Sequence, residues 1–175
     1  MSRHVGIFGP GECGKTYAGM ELLRQRWILF RRRAIVLDLN RAAWPAHCLV
    51  FPDRDKGLAF AWREQGCDLV IDDATGQIYR DPAQNDLFTR IRHQHHTLFV
   101  LGHTATMLLP LQRDALGTLL LFRQSPVAIQ TWVNEWAEPR IEQAALLKRY
   151  EFLLCKKFGA PDGSHLIQKG KFPPP

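Results

Sequence analysis

The chain has 175 residues, 46% of them hydrophobic and 23% charged, enough to bury a core in one ordinary domain and too apolar for a disordered chain. A net charge of +6 and a pI near 9.4 favour an anionic partner such as nucleic acid. No transmembrane span is expected, because the longest apolar run, residues 97–111, is short and broken by Gly102, His103 and Pro110.

In chain order, residues 4–9 (HVGIFG) read as a short apolar strand, with no signal peptide expected ahead of it. Residues 14–30 have the length and periodicity of a helix, and 34–40 (AIVLDLN) form a buried strand ending in polar residues. A short strand is expected within 43–52, a helix over 56–66 ended by Gly66, and a strand over 67–74 (CDLVIDDA). Asp81 as cap and Pro82 in the first turn open a helix over 81–95. Residues 97–103 and 117–124 are two further core strands, and 125–137 and 138–157 read as helices, each with an early proline. Residues 158–175 form a Gly/Pro-rich basic tail, expected to be partly disordered. Cys13, Cys48, Cys67 and Cys155 show neither metal nor disulfide spacing and suit a reducing cytoplasm. Strands that are continuous apolar runs and alternate with helices predict an α/β fold. Its central sheet is mostly parallel, with helices on both faces, in one domain over 1–157 followed by the tail.

Between the first strand and the first helix lies Gly9-Pro10-Gly11-Glu12-Cys13-Gly14-Lys15-Thr16, which matches G-x-x-x-x-G-K-[ST]. Glycines let the backbone turn so that its N–H groups converge on phosphate oxygens, and the helix N-terminus adds its positive end. Residues Gly9 to Thr16, with Tyr17 behind them, are therefore expected to bind a nucleotide. Lys15 would neutralise the β- and γ-phosphates, and the Thr16 hydroxyl would ligate Mg²⁺. The strand ending Asp72-Asp73 supplies the second half of such a site, because ligands bind at the carboxyl ends of parallel strands. Asp72 is expected in the Mg²⁺ shell and Asp73 as the base that orients and deprotonates water. ATP and Mg²⁺ are the implied substrate and cofactor.

The order that follows is an acidic strand, a segment ending in Arg-His (Arg92-His93), a strand ending at His103, then a loop and a strand ending Leu-Phe-Arg (121–123). Over about residues 4–135 this resembles the HerA/FtsK superfamily of P-loop ATPases, whose fold is RecA/FtsK-like. At this size it looks most like the genome-packaging ATPases of membrane-containing or tailless icosahedral viruses. The resemblance implies a hexameric or pentameric ring acting on DNA at a capsid or portal vertex, in the host cytoplasm or the virion. It also implies an arginine supplied by the neighbouring subunit. Arg92 ranks first for that role, ahead of Arg123, with Arg90 and Arg113 as further candidates. Two positions depart from the family pattern. Hydrolytic P-loop ATPases usually carry Glu where Asp73 stands, and the γ-phosphate sensor is normally Gln or Asn where this chain has His103.

For DNA, the densest basic run contains Arg31, Arg32 and Arg33, and a motor needs such backbone-gripping cations. The loops 54–60 and 108–117 are other candidates for the DNA contact. His93, His95 and His96 lack the companion ligands of a metal site. The leading expectation is an ATP-hydrolysing DNA translocase that packages a viral genome into a preformed capsid. The alternatives are a filamentous-phage-type assembly ATPase, a small nucleoside or nucleotide kinase, and a non-catalytic switch.

Overall fold

The computed structural model describes residues 4–173. Its elements run β1 (His4–Phe8), α1 (Lys15–Phe30), β2 (Ala34–Leu37), β3 (Cys48–Phe51), α2 (Arg54–Ala61), β4 (Asp68–Ile71), α3 (Ala74–Ile78) and α4 (Asn85–Thr89). They continue with β5 (Thr97–Gly102), α5 (Pro110–Asp114), β6 (Leu116–Leu121), α6 (Pro126–Trp136), β7 (Glu151–Lys156) and β8 (Leu166–Lys171). The strands form one eight-stranded sheet in the order β3-β2-β4-β5-β1-β6-β7-β8. The pairs from β3 to β6 are parallel, and β7 and β8 add an antiparallel hairpin at the β6 edge. The mostly parallel α/β sheet expected from the alternating runs is thus present.

Central strands β2, β4 and β5 are buried along their whole length, as their unbroken apolar runs require when both faces are covered. One face packs α1 and Trp44 over Ile7, Val36, Val70 and Phe99. The other packs α2, α3 and α6 over Phe8, Leu37, Ile71 and Val100, with Trp132 fully buried among them. Because β1, β2, β4, β5 and β6 are mutually parallel, their carboxyl ends lie on one edge. That edge receives the glycine-rich loop after β1, Asp38 after β2, Asp72-Asp73 after β4, His103 after β5 and Arg123 after β6.

Three expected elements differ. Residues 81–95 are not one helix but a 3₁₀ turn (Pro82–Gln84), α4 and a second 3₁₀ turn (Ile91–Gln94). The Thr89 hydroxyl donates to the Asn85 carbonyl four residues back, and His95 turns into a left-handed conformation (φ 59°). Residues 138–157 are a 3₁₀ helix (Pro139–Leu146) followed by β7. The helix-forming Glu, Leu and Lys residues there are overruled by the open edge of β6, which β7 completes with Leu153 and Cys155 buried. The expected tail carries β8, paired with β7 from Leu166 to Lys171, so the sheet extends past residue 157; positions 174–175 of that tail lie outside the described residues. Among the described residues no helix is long and apolar enough to cross a membrane.

Candidate functional site

The loop from Gly9 to Gly14 leaves β1 and enters α1 directly. Gly14 takes φ 101°, a backbone region closed to other residues, and becomes the N-cap from which α1 starts. At Gly9 a Cβ would stand 2.7 Å from the Cβ of Phe122 on the adjoining strand end, so only glycine lets the loop leave the sheet that closely. Lys15 sits at the first position of α1 and folds its Nζ over the loop, donating to the carbonyls of Gly9 (2.9 Å) and Pro10 (2.7 Å). The ammonium is thereby held at the start of the loop. Burial pushes the Cys13 thiol up, against the opposing pull of Lys15, which disfavours a reactive thiolate.

Thr16 connects the two halves. Its hydroxyl donates to the Asp72 carboxylate, 3.1 Å from Oδ2 and 3.3 Å from Oδ1. This joins the first turn of α1 to the end of β4, two strands away across the sheet. Asp72 is buried, and desolvation raises its pKa. The hydrogen bond from Thr16 opposes that shift, the negative charge of Asp38 adds to it, and the Asp73 N–H and the Lys15 charge oppose it. A buried carboxylate beside a hydroxyl, with a second carboxylate near, is a hard-oxygen donor set of the kind Mg²⁺ takes. The residues present therefore fit that ion.

Asp73 follows in a left-handed conformation (φ 51°, ψ 57°), half-buried, with its N–H on Asp72 Oδ1 at 3.0 Å. Its carboxylate caps nothing on α3. β5 lies between β1 and β4, so its end, His103, is flanked by the glycine loop and the acidic pair. His103 is exposed and shares a cleft of about 620 Å³ with Pro10, Thr104, Arg123, Gln124 and Leu146. The Gln124 amide donates to the His103 carbonyl (3.2 Å), tying the ends of β5 and β6 together over β1.

Two residues of this edge escape sequence reading. Asp38, fully buried, accepts from the Asn40 N–H (2.7 Å), the Ala42 N–H (2.6 Å) and the Trp44 indole (2.9 Å), and so shapes the loop after β2. Gln77 on α3 donates to the carbonyls of Leu37 and Asp72 and locks the ends of β2 and β4. The signal for Asp38 was its place at the polar end of an apolar strand; nothing local marks Gln77.

Arg92 is elsewhere. It precedes β5 and so lies at the opposite edge of the sheet, in a cleft of about 580 Å³ with His4, His93, His95 and Asp114. Among the other arginines considered, Arg90 pairs with Asp86, Arg113 pairs with Glu135, and Arg123 is exposed beside the loop. The basic run 31–33 is corrected in part. Arg32, together with Arg26, clamps the fully buried Asp68 (3.0 and 2.6 Å), and it also donates to the carbonyls of Cys67 and His95. Its charge is spent on an internal ion pair. Arg33 pairs with Glu64, and Arg31 lies over the Trp27 ring. His96 is also structural, holding Cys67 N–H and the Ala61 carbonyl. No grouping of three or more His, Cys, Asp or Glu among the described residues forms a metal cage.

Sheet order, loop and acidic strand together define the fold of a P-loop NTPase. The same fold is found in the genome packaging NTPase B204 of Sulfolobus turreted icosahedral virus 2. The structure of B204 with AMPPCP aligns at TM-score 0.72 and 17% identity over 95% of this chain and 98% of that one. Its sulfate complex aligns at TM-score 0.76 and 17% identity, over 97% of each chain. VirB4 of Thermoanaerobacter pseudethanolicus aligns at TM-score 0.72 and 12% identity, over 98% of this chain and 89% of that one. At such identities the likeness is one of fold. No protein-family model matches the sequence, and no significant match to a curated protein exists.

Proposed function

We propose that this chain is an ATP-hydrolysing DNA translocase that packages a viral genome into a preformed capsid. The observation that carries the hydrolytic part is the Thr16–Asp72 contact, which joins the lysine-bearing helix to the acidic strand. The packaging part is supported by the fold shared with B204 over nearly the whole of both chains, and by the +6 charge, which suits a polyanion.

In this reading the backbone N–H groups of Gly11 to Lys15 cradle the phosphates, and Lys15 leaves its two carbonyl acceptors to neutralise the γ-phosphate. Tyr17 completes the nucleotide-binding segment. Thr16 and Asp72 would hold Mg²⁺, which offsets the charge on the phosphate oxygens when bound. Asp73, whose carboxylate has no hydrogen-bond partner among the described residues, orients the attacking water and accepts its proton. His103 donates to the γ-phosphate from the strand end between the two halves. Arg92 of one copy reaches the site of the next in a ring. Exposed cations, with Arg31 and Arg33 the better placed members of the 31–33 run, grip DNA phosphates without reading sequence.

The test is steady-state ATP hydrolysis with and without double-stranded DNA, at low and moderate salt. Stimulation by DNA that fades with salt is expected, and Lys15→Ala should lower turnover by at least about 10²-fold with the fold intact by circular dichroism. Turnover retained in Lys15→Ala sinks the phosphate-cradle assignment. Hydrolysis indifferent to DNA but switched on by a nucleoside or nucleoside monophosphate moves the reading to a kinase.

A further inference from the structure

Asp73 stands at the point where reach matters most. Its side chain is one methylene shorter than the Glu usual at such a position, so the carboxylate must be aimed by other means. The left-handed backbone supplies part of the aim, with the N–H fixed on Asp72 Oδ1 and the carbonyl accepting the Gly76 N–H at 3.0 Å. The carboxylate itself is tied by no hydrogen bond within the described residues. What lies beside it is Gly76. A Cβ built on residue 76 would come 3.2 Å from Asp73 Oδ2 and 3.8 Å from its Cγ. The first distance is shorter than an ordinary carbon–oxygen contact, so a side chain here displaces the carboxylate by a few tenths of an ångström.

Nothing in the backbone explains this glycine. Gly76 sits inside α3, is exposed, and does not have a positive φ. Helix propensity at such a position favours alanine. Among the described residues, Asp73 is what a Cβ at this position would meet.

We propose that Gly76 is a positioning residue for Asp73, leaving open the space in which the carboxylate points at the attacking water. This rests on the reading of Asp73 as the base. A displacement near an ångström at a reacting group costs about 10²-fold in rate, so a few tenths should cost about five- to tenfold.

The experiment compares kcat, KM for ATP and the thermal midpoint of the full chain carrying Gly76→Ala. We expect kcat to fall about five- to tenfold, KM to stay within about twofold, and the midpoint to hold or rise. Activity and stability then move in opposite directions, which a glycine needed only for folding cannot produce. An unchanged kcat overturns the proposal, as does a fall in kcat accompanied by a lower midpoint or a raised KM. Gly76→Ser, which adds the same Cβ, repeats the test if the alanine variant does not fold. In an Asp73→Asn background, adding Gly76→Ala should leave the residual turnover unchanged, because the group it acts through is gone. A further drop overturns the proposal. Should Asp73→Asn alone turn over at the wild-type rate, the reading of Asp73 as base fails. Should Asp73→Asn be inactive and Gly76→Ala fully active, only the role of Gly76 fails.

Discussion

Asp72 carries opposed demands at a single residue. Burial raises its pKa above the ordinary 3.8, and the charge of Asp38 adds to the rise, while Thr16, the Asp73 N–H and Lys15 pull it back. A carboxyl whose pKa is higher in the folded state contributes stability that is fully present below the unfolded value. That contribution is lost as pH rises through the raised value. At neutral pH the ionised Asp72 therefore costs stability, a cost that the metal-holding role proposed above would require, because a metal ligand must be charged. Asp72→Asn should unfold at a higher temperature than wild type at pH 7 to 8, and the gap should narrow as pH falls toward about 4. Turnover should drop by at least about 10²-fold. Added Mg²⁺ should raise the wild-type midpoint and leave that of the variant unmoved. A variant less stable than wild type at pH 8 contradicts the desolvation argument; a Mg²⁺ response retained in full removes Asp72 from the metal shell.

At the scale of elements, β8 delivers Phe172, the residue after it, to the first turn of α1. The Phe172 ring lies 4.7 Å from Phe152, 6.0 Å from Tyr17 and 6.4 Å from Phe122, so the last described strand buttresses the first turn of α1. Phe172 is only half-buried. Phe172→Ala should therefore cost about 1–3 kcal/mol, less than a fully buried phenylalanine, and lower the midpoint by several degrees. Amide exchange should accelerate along Leu166–Lys171, and KM for ATP should rise as Tyr17 loses its support. Unchanged exchange there refutes the buttress. None of this was legible in the sequence, where 158–175 looks like a tail and Glu151–Lys156 like the end of a helix. Pairing partners settle a strand, and those of β7 lie some 35 residues back on β6. The glycine loop and the Asp72-Asp73 strand end were legible because their chemistry needs fixed local spacing. The internal role of Arg32 was not legible for the opposite reason: Arg32 and Arg26 are held by Asp68, 36 and 42 residues away.

For the whole molecule, the sheet separates Arg92 from the glycine loop. β5 is six residues long, so its two edges stand about 20 Å apart, well beyond the reach of one arginine side chain. Arg92 has no ion pair among the described residues, and it lies in an open cleft at the edge away from its own glycine loop. The trans role proposed for it therefore needs a second copy, joined through a head-to-tail contact of the kind that closes rings. Lys15→Ala and Arg92→Ala should each be nearly inactive, for different reasons. In rings mixed at random from the two, about a quarter of the contacts join an intact loop to an intact Arg92. The mixture should therefore recover about a quarter of wild-type turnover in the presence of DNA, whereas neither variant recovers when mixed with itself. Recovery requires both that copies share sites and that Arg92 is the shared residue. If mixing restores nothing while Arg123→Ala mixed with Lys15→Ala does, the trans arginine is Arg123, reaching the next copy although it also lines a cleft with Pro10 of its own chain.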